Sequence, residues 1–415
     1  ILSPYNKNST QNLLEFSKSA TYQTFRNHLS RCVSVLAVAE SPRVVLTMIV
    51  RNEAPIIRRC LQSVLPAIDA YSIVDTGSTD DTMRLIRSTL AELPGALVER
   101  PWVDFATNRT QALELAAEHG DVAFMLDADD VVEFTADWSR EAFHQQLRTA
   151  DVFDVPLVLP PIEYSRPQLT STTLPFRYRG VVHEYLVTPP HSRHGGLVRG
   201  FRVRCGTGES NRSVSGNKFR TDVEVLRAAL AAEDDEALRC RYTFYLAQSL
   251  RDAGDLDAAE QAYRQRATMG GYVEERCVAW MEVGHLVRRR GGPPSEAIDA
   301  YLHAYDEVPA RAEALCYAAE TARLAGRMPT AYTFAERGFN TPRPATGLFV
   351  NPSVYDWRLA YEASIAAYYV GEHEAGLAVS RALLAGTSIP PAERRTVLDN
   401  LRFYLPADAA DPHAE

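Results

Sequence analysis

Lysine is almost missing from this 415-residue chain: three lysines stand against 41 arginines. Two of the three, Lys7 and Lys18, fall in the first forty residues, as do four of the eleven asparagines. Beyond that stretch Ala and Arg dominate, a bias that fits a GC-rich bacterial source. Residues 1–40 therefore read as a separate extension, helical or partly disordered. Long apolar runs are also lacking. No stretch approaches the ~18 residues that a membrane-spanning helix needs. The opening ILSPYNKNSTQNLLEFSK lacks the basic head and apolar block of a signal peptide. There is no basic excess either. The net charge of −9 argues against a general nucleic-acid binder. The six cysteines, at 32, 60, 205, 240, 277 and 316, are scattered without a CxxC pair. That spacing excludes a zinc ribbon and a disulfide framework. It fits free thiols in a reducing cytoplasm. At this length two or three domains are expected.

From residue 43 the chain alternates strand and helix patterns. RVVLTMIV is a short β-branched apolar run, as expected of a buried strand. PIIRRCLQSVLPAI carries helical spacing, with Pro at its start. AYSIVDTGSTDDT reads as a strand ending in a polar turn. Ser78 and Asp81 have the spacing of a capping box for the helix TMRLIRSTLAEL. GALVERPWV reads as a third strand, FATNRTQALELAAEHG as a helix closing on Gly120, and DVAFMLDADD as a fourth strand. Such alternation predicts a mostly parallel, Rossmann-like α/β sheet. Ligands bind such sheets at the carboxyl ends of the strands. VRNEA, VDTGSTDD and DADD all fall there.

The DADD segment poses an electrostatic problem. Two carboxylates about 4 Å apart at an effective dielectric near 20 repel by on the order of 4 kcal/mol. Something must offset this for Asp127, Asp129 and Asp130. No basic cluster lies nearby in sequence. A hard divalent cation, Mn²⁺ or Mg²⁺, suits carboxylate oxygens and is often shared with substrate phosphates. The reading is therefore a metal–diphosphate site. Two enzyme classes place such a motif at a strand end: nucleotide-sugar glycosyltransferases and haloacid-dehalogenase-like phosphatases. The phosphatase motif ends the first strand of its domain and needs a downstream lysine and acidic pair. Here DADD follows three strands, and Lys218 is the only lysine after it.

The ordered motifs VVLTMIVRNEAPIIRRCLQSV, IVDTGSTDDT, FATNRTQALELA and DVAFMLDADD resemble the GT-A fold glycosyltransferases of family two. The resemblance implies that Asp75 contacts the nucleotide base and that Arg109 lies near base or diphosphate. It implies further that Asp127 faces the ribose or sugar, and that the metal is held by Asp129 together with Asp127 or His183. Ile49, Val50, Arg51 and Glu53 would line the base pocket, with Arg51 replacing an aromatic that stacks on the base in some relatives. FRYRGVVHEYL is an alternating, strand-like run, and it resembles the segment that follows the Asp-x-Asp strand in transferases joined to tetratricopeptide repeats. It suggests His183 as a further metal or diphosphate ligand and Glu184 near the reacting sugar. Glu184 and Asp130 are the candidate bases for an inverting transfer. Arg179 would help neutralise the diphosphate.

After residue ~216 the character changes. Gly254, Gly291, Gly326 and Gly371 recur 37, 35 and 45 residues apart, with Ala259 and Ala331 five residues after their glycines and Ala297 one residue late. The period is near the 34 residues of tetratricopeptide repeats. The expected architecture is an extension at 1–40, a GT-A domain at 41–215, an all-α tetratricopeptide solenoid at 216–405 and a flexible tail at 406–415. The implied function is metal-dependent transfer from a nucleoside-diphosphate sugar to a peptide, protein or natural-product acceptor. Similar architectures occur in peptide S- and O-glycosyltransferases, including those that modify glycocins. The repeats would hold the acceptor, a partner or a second copy of the chain. The rival from another class is a non-catalytic scaffold that binds partners through its repeats.

Overall fold

The computed structural model describes residues 41–159, 162–206, 217–344 and 347–405. The extension at 1–40 and the tail at 406–415 lie outside them. The chain forms two compact units. Among the described residues, one comprises 41–102, 108–177 and 186–206. The other comprises Val103–Thr107, Tyr178–Tyr185 and the described residues from 217 on.

The first unit is built on a mixed sheet. Its elements begin with β1 (Val44–Val50), α1 (Ile57–Val64), β2 (Ala70–Asp75), α2 (Thr82–Thr89), β3 (Gly95–Glu99), α3 (Phe105–Ala116) and β4 (Val122–Met125). They continue with β5 (Val131–Phe134), α4 (Arg140–Leu147), β6 (Val152–Leu159) and β7 (Ile162–Ser171). β10 (His194–Leu197) and β11 (Phe201–Arg204) complete this unit, while β8 (Arg177–Arg179) and β9 (Tyr185–Val187) lie at the two ends of the Tyr178–Tyr185 stretch that belongs to the other unit. The strand order is β3-β2-β1-β4-β7-β6-β11-β5, with β10 on β6; β8 and β9 form a separate two-stranded sheet.

β1 is central, which explains its unbroken apolar run: Val44, Leu46 and Met48 are fully buried on one face, and Val45 and Thr47 on the other. It pairs in parallel with β2 (Val50 opposite Asp75) and with β4 (Thr47 opposite Met125). The carboxyl ends of β1, β2 and β4 therefore share one sheet edge. β7 runs antiparallel to β4, with Leu169 opposite Phe124. Its first half consequently reaches the same edge. Helix α3 packs on the sheet, where the Ser72 hydroxyl donates to the Ala112 carbonyl at 2.8 Å.

The second unit is helical: α5 (Lys218–Ala232), α6 (Glu236–Asp252), α7 (Leu256–Thr268), α8 (Val273–Arg289) and α9 (Pro294–Glu307). It continues through α10 (Glu313–Leu324), α11 (Met328–Phe339), α12 (Leu359–Tyr369), α13 (His373–Ala385) and α14 (Pro391–Leu401). The helices form antiparallel pairs, α6/α7 through α12/α13, as in tetratricopeptide repeats. The four period-marking glycines sit in the turns inside these pairs. Their φ values of 90°, 74°, 72° and 83° lie in the left-handed region that glycine enters without a Cβ penalty. Gly284 serves a different end. A Cβ there would overlap the Tyr301 ring, so its absence lets α8 and α9 close together.

Two local expectations change. The capping box at Ser78 and Asp81 does not form. Asp81 makes no side-chain cap and instead pairs with Arg84 at 2.9 Å. Ser78 is drawn away by the neighbouring loop, where its hydroxyl accepts from Asn52 N. FRYRGVVHEYL is not one strand. Gly180 (φ 108°) and His183 (φ 53°) turn the chain between β8 and β9.

Candidate active site

Two loops are knitted together at the carboxyl edge. After β1, Asn52 adopts φ 57° and its Oδ1 accepts from Thr79 N at 2.7 Å. Glu53 N donates to the Thr82 hydroxyl, and Ala54 N to Asp80. Thr76 N and its hydroxyl both donate to the Val50 carbonyl. This lattice fixes the floor beneath Ile49, Val50, Arg51 and Glu53, the residues expected to line a base pocket. Arg51 is exposed and Glu53 is buried.

Asp75 ends β2 and is fully buried. Its Oδ1 accepts from Gly77 N at 2.9 Å and Ser78 N at 2.7 Å. Among the described residues its Oδ2 finds no hydrogen-bond partner. A buried carboxylate oxygen without a partner costs more than a net hydrogen bond contributes. Such an orphan points to a missing donor, which an N–H of a bound molecule would supply.

The aspartate segment forms a tight turn between β4 and β5. Asp130 N donates to the Asp127 carbonyl at 3.1 Å, and Asp130 Oδ2 accepts from Asp127 N at 3.2 Å. The Cys60 thiol donates to the Asp127 carbonyl at 3.3 Å. Asp130 is thus folded inward and only 3% exposed. Burial first, and then the Asp127 charge, raise its pKa to about 7. Asp127 behaves oppositely. Burial alone would raise its pKa, but the Arg109 and Arg166 charges outweigh this and hold it below the usual range.

Those two arginines answer the electrostatic problem in part. Arg109 Nη2, on α3, donates to Asp127 Oδ1 at 2.5 Å, and Arg166 Nη2, on β7, to Oδ2 at 3.4 Å. The counter-charge that sequence neighbours do not provide arrives from other elements. Arg109 was legible through its motif; Arg166 was not, because only the antiparallel return of β7 brings it to β4. Asp129 lies at the tip of the turn. Gly206, just beyond β11, approaches so closely that a Cβ at 206 would overlap the Asp129 carboxylate. Cys205 beside it has its thiol pushed up to about 11 by burial and by Asp130.

His183, Glu184 and Arg179 belong to the second unit. There the His183 ring stacks on Tyr245, with centroids 4.0 Å apart, and its carbonyl accepts from Arg241. Arg179 pairs with Asp235 at 3.0 Å. Among the described residues no group of three or more His, Cys, Asp or Glu side chains gathers as a metal site.

Residues 46–179 match the family model described as Glycosyl transferase family 2. This is a family-two glycosyltransferase domain, and tetratricopeptide-type repeats follow it. A TPR repeat-containing protein of Synechococcus elongatus is 28% identical over 293 residues, 65% of this chain and 67% of its own length. The SPbeta prophage-derived glycosyltransferase SunS of Bacillus subtilis is 22% identical over 252 residues, 58% of this chain. The chain spans 56% of the SunS length. Among solved structures, MamA aligns with 42% of this chain and 92% of its own at a TM-score of 0.33 and 14% identity. A tetratricopeptide repeat protein of Parabacteroides merdae aligns with 46% and 68% at 0.36 and 16%. Scores that low add nothing to the helix order described above. Among the described residues no helix is long and apolar enough to cross a membrane.

Proposed function

We propose that the protein is a metal-dependent glycosyltransferase that uses a nucleoside-diphosphate sugar. The observation that carries this reading is the pairing of two carboxylate sites on one sheet edge within a family-two domain: Asp75 with its unpartnered oxygen, and the Asp127–Asp130 turn. In this reading Asp75 Oδ2 accepts an N–H of the base. Arg109 orients Asp127 toward the ribose or sugar. Arg166, 41% exposed, stands beside Asp127 with a guanidinium suited to a phosphate.

The residues suit a hard cation of the Mg²⁺ or Mn²⁺ type bound through few protein ligands. Both Asp127 oxygens already face arginines, which leaves Asp129 as the principal carboxylate, cradled where Gly206 has no Cβ. Such cations commonly take one or two carboxylates and complete their shell with phosphates and water. When bound, the cation would neutralise the departing diphosphate. The acceptor hydroxyl, thiol or amide loses its proton to a carboxylate base, for which Glu184 and Asp130 remain the candidates. Asp130 has its pKa raised to about 7 by burial and Asp127, and Glu184 is half-buried in the second unit. A peptide or natural product is the proposed acceptor, as the repeats offer an extended surface. A donor-hydrolysis panel tests the reading: release of nucleoside diphosphate from at least one nucleotide sugar, lost in Asp129→Asn, supports it. No turnover of any donor with either cation would overturn it.

A further inference from the structure

The repeats are not evenly spaced. The last interval between turn glycines is 45 residues, against 37 and 35. The extra length lies between α11 and α12, and its last part, Gly347–Ser353, does not loop outward. It crosses the first helices of three successive pairs. The Phe349 ring stacks on Phe244 of α6, with centroids 6.5 Å apart. Leu348 N donates to Glu274 of α8 at 3.3 Å. Asn351 N donates to Glu313 of α10 at 3.2 Å, and Asn351 Nδ2 to the Tyr317 hydroxyl at 3.3 Å. First helices line the inner face on which such solenoids bind partners.

The grip is directed at backbone. Arg311 Nη1 donates to the Leu348 carbonyl at 2.8 Å, while Glu274 takes the Leu348 N–H. Arg311 and Glu274 also pair with each other at 2.6 Å. One ion pair thus holds both polar groups of a single residue, whatever its side chain. The Leu348 side chain meanwhile packs against the repeats' apolar core. Backbone hydrogen bonds plus a side-chain pocket are how grooves hold extended peptides. The resident segment is an imperfect occupant. Phe349 is 50% exposed and held at φ 53°, a left-handed conformation that bulky residues seldom adopt.

We infer that Gly347–Ser353 is an internal occupant of a peptide-binding groove, and that an external extended peptide with an aliphatic–aromatic pair takes its place. The tethered segment competes at an effective concentration in the millimolar range. It therefore masks the groove until a better-fitting peptide displaces it. The inference does not depend on the transferase reading, because binding is read without donor or metal.

The test uses the full chain and a labelled, end-capped heptapeptide of sequence GLFVNPS, with a scrambled control. The Leu348→Ser/Phe349→Ser variant keeps the segment's backbone bonds but removes its two apolar anchors, which weakens its hold, and it is expected to bind the peptide about tenfold or more tighter than the parent. Adding Glu274→Gln and Tyr317→Phe to that variant reverses the gain. A folded variant that binds no tighter than the parent, or no better than it binds the scrambled peptide, overturns the inference. Should that variant fail to fold, hydrogen exchange on the parent decides. Excess GLFVNPS must speed exchange of the Leu348 and Asn351 amides; unchanged protection means a fixed structural loop.

Discussion

Replacing Asp130 with asparagine isolates the most perturbed carboxyl of the aspartate turn. Its pKa rises from 3.8 to about 7 on folding, through burial and the neighbouring Asp127 charge. The sign follows from linkage. Below pH ~4 both the folded and unfolded chains carry the proton. Between pH ~4 and 7 the unfolded chain releases it while the folded chain keeps it, so rising pH favours unfolding. Above pH ~7 both are ionised and the dependence levels off. A shift of roughly three units at 1.36 kcal/mol each amounts to about 4 kcal/mol. Asparagine keeps the shape and an acceptor oxygen for Asp127 N but carries no charge. The first unit of the parent should therefore lose about 3 kcal/mol more stability than Asp130→Asn between pH 4.5 and 8. Urea unfolding at several pH values, without divalent cations, measures this, and the parent–variant difference cancels the titrating groups that do not interact with Asp130. Parallel pH profiles for the two proteins would refute the assignment of a buried, repelled carboxyl at Asp130.

Three further outcomes follow from named contacts. Asp75→Asn preserves an acceptor for Gly77 N and Ser78 N but removes the charged, unpartnered oxygen. Nucleoside diphosphate binding measured by calorimetry should weaken by about 1.5–3 kcal/mol, tenfold or more; unchanged affinity would remove Asp75 from the base site. Gly206→Ala forces a methyl into the Asp129 carboxylate, and a displacement near 1 Å at a reacting centre costs about 10²-fold in rate. Donor hydrolysis at the parent's level in a folded Gly206→Ala protein would contradict that placement. In the repeats, Arg266 and Glu275 pair at 2.9 Å with 0% and 5% of their side chains exposed. Arg266→Ala should cost about 3–5 kcal/mol in the helical unfolding transition, and Arg266→Met with Glu275→Leu should recover most of it.

The fold was legible where pattern is local. The β-branched runs, the strand–helix alternation and the turn glycines each report a short-range constraint, and each element formed in its expected order. The third and fourth strands stop early, at Glu99 and Met125, and the helix from Phe105 ends at Ala116 rather than at Gly120. What stayed hidden depends on strand order. Arg166 reaches Asp127 only because β7 inserts antiparallel beside β4, and nothing in the EYSRP stretch around it announces that neighbour. The same holds for Gly206, whose approach to Asp129 follows from β11 pairing with β5. The sequence posed the repulsion of DADD as a matter for a cation alone. In the fold two arginines already carry part of it, and burial beside Asp127 raises the pKa of Asp130 to about 7. The capping box failed for a related reason, since Ser78 answers to Asn52 across the loop rather than to its own helix. The long last repeat interval was visible as a number, but its path across three helices was not.

The central claim is that the carboxyl edge binds a nucleoside diphosphate together with a divalent cation. Titrating the full chain with uridine, guanosine and thymidine diphosphates, each with and without Mn²⁺ or Mg²⁺, tests it most directly by thermal shift. The account predicts a rise in the midpoint for at least one nucleotide, dependent on the cation and lost in Asp129→Asn. No shift for any nucleotide in either cation, or a shift that survives Asp129→Asn unchanged, would contradict it.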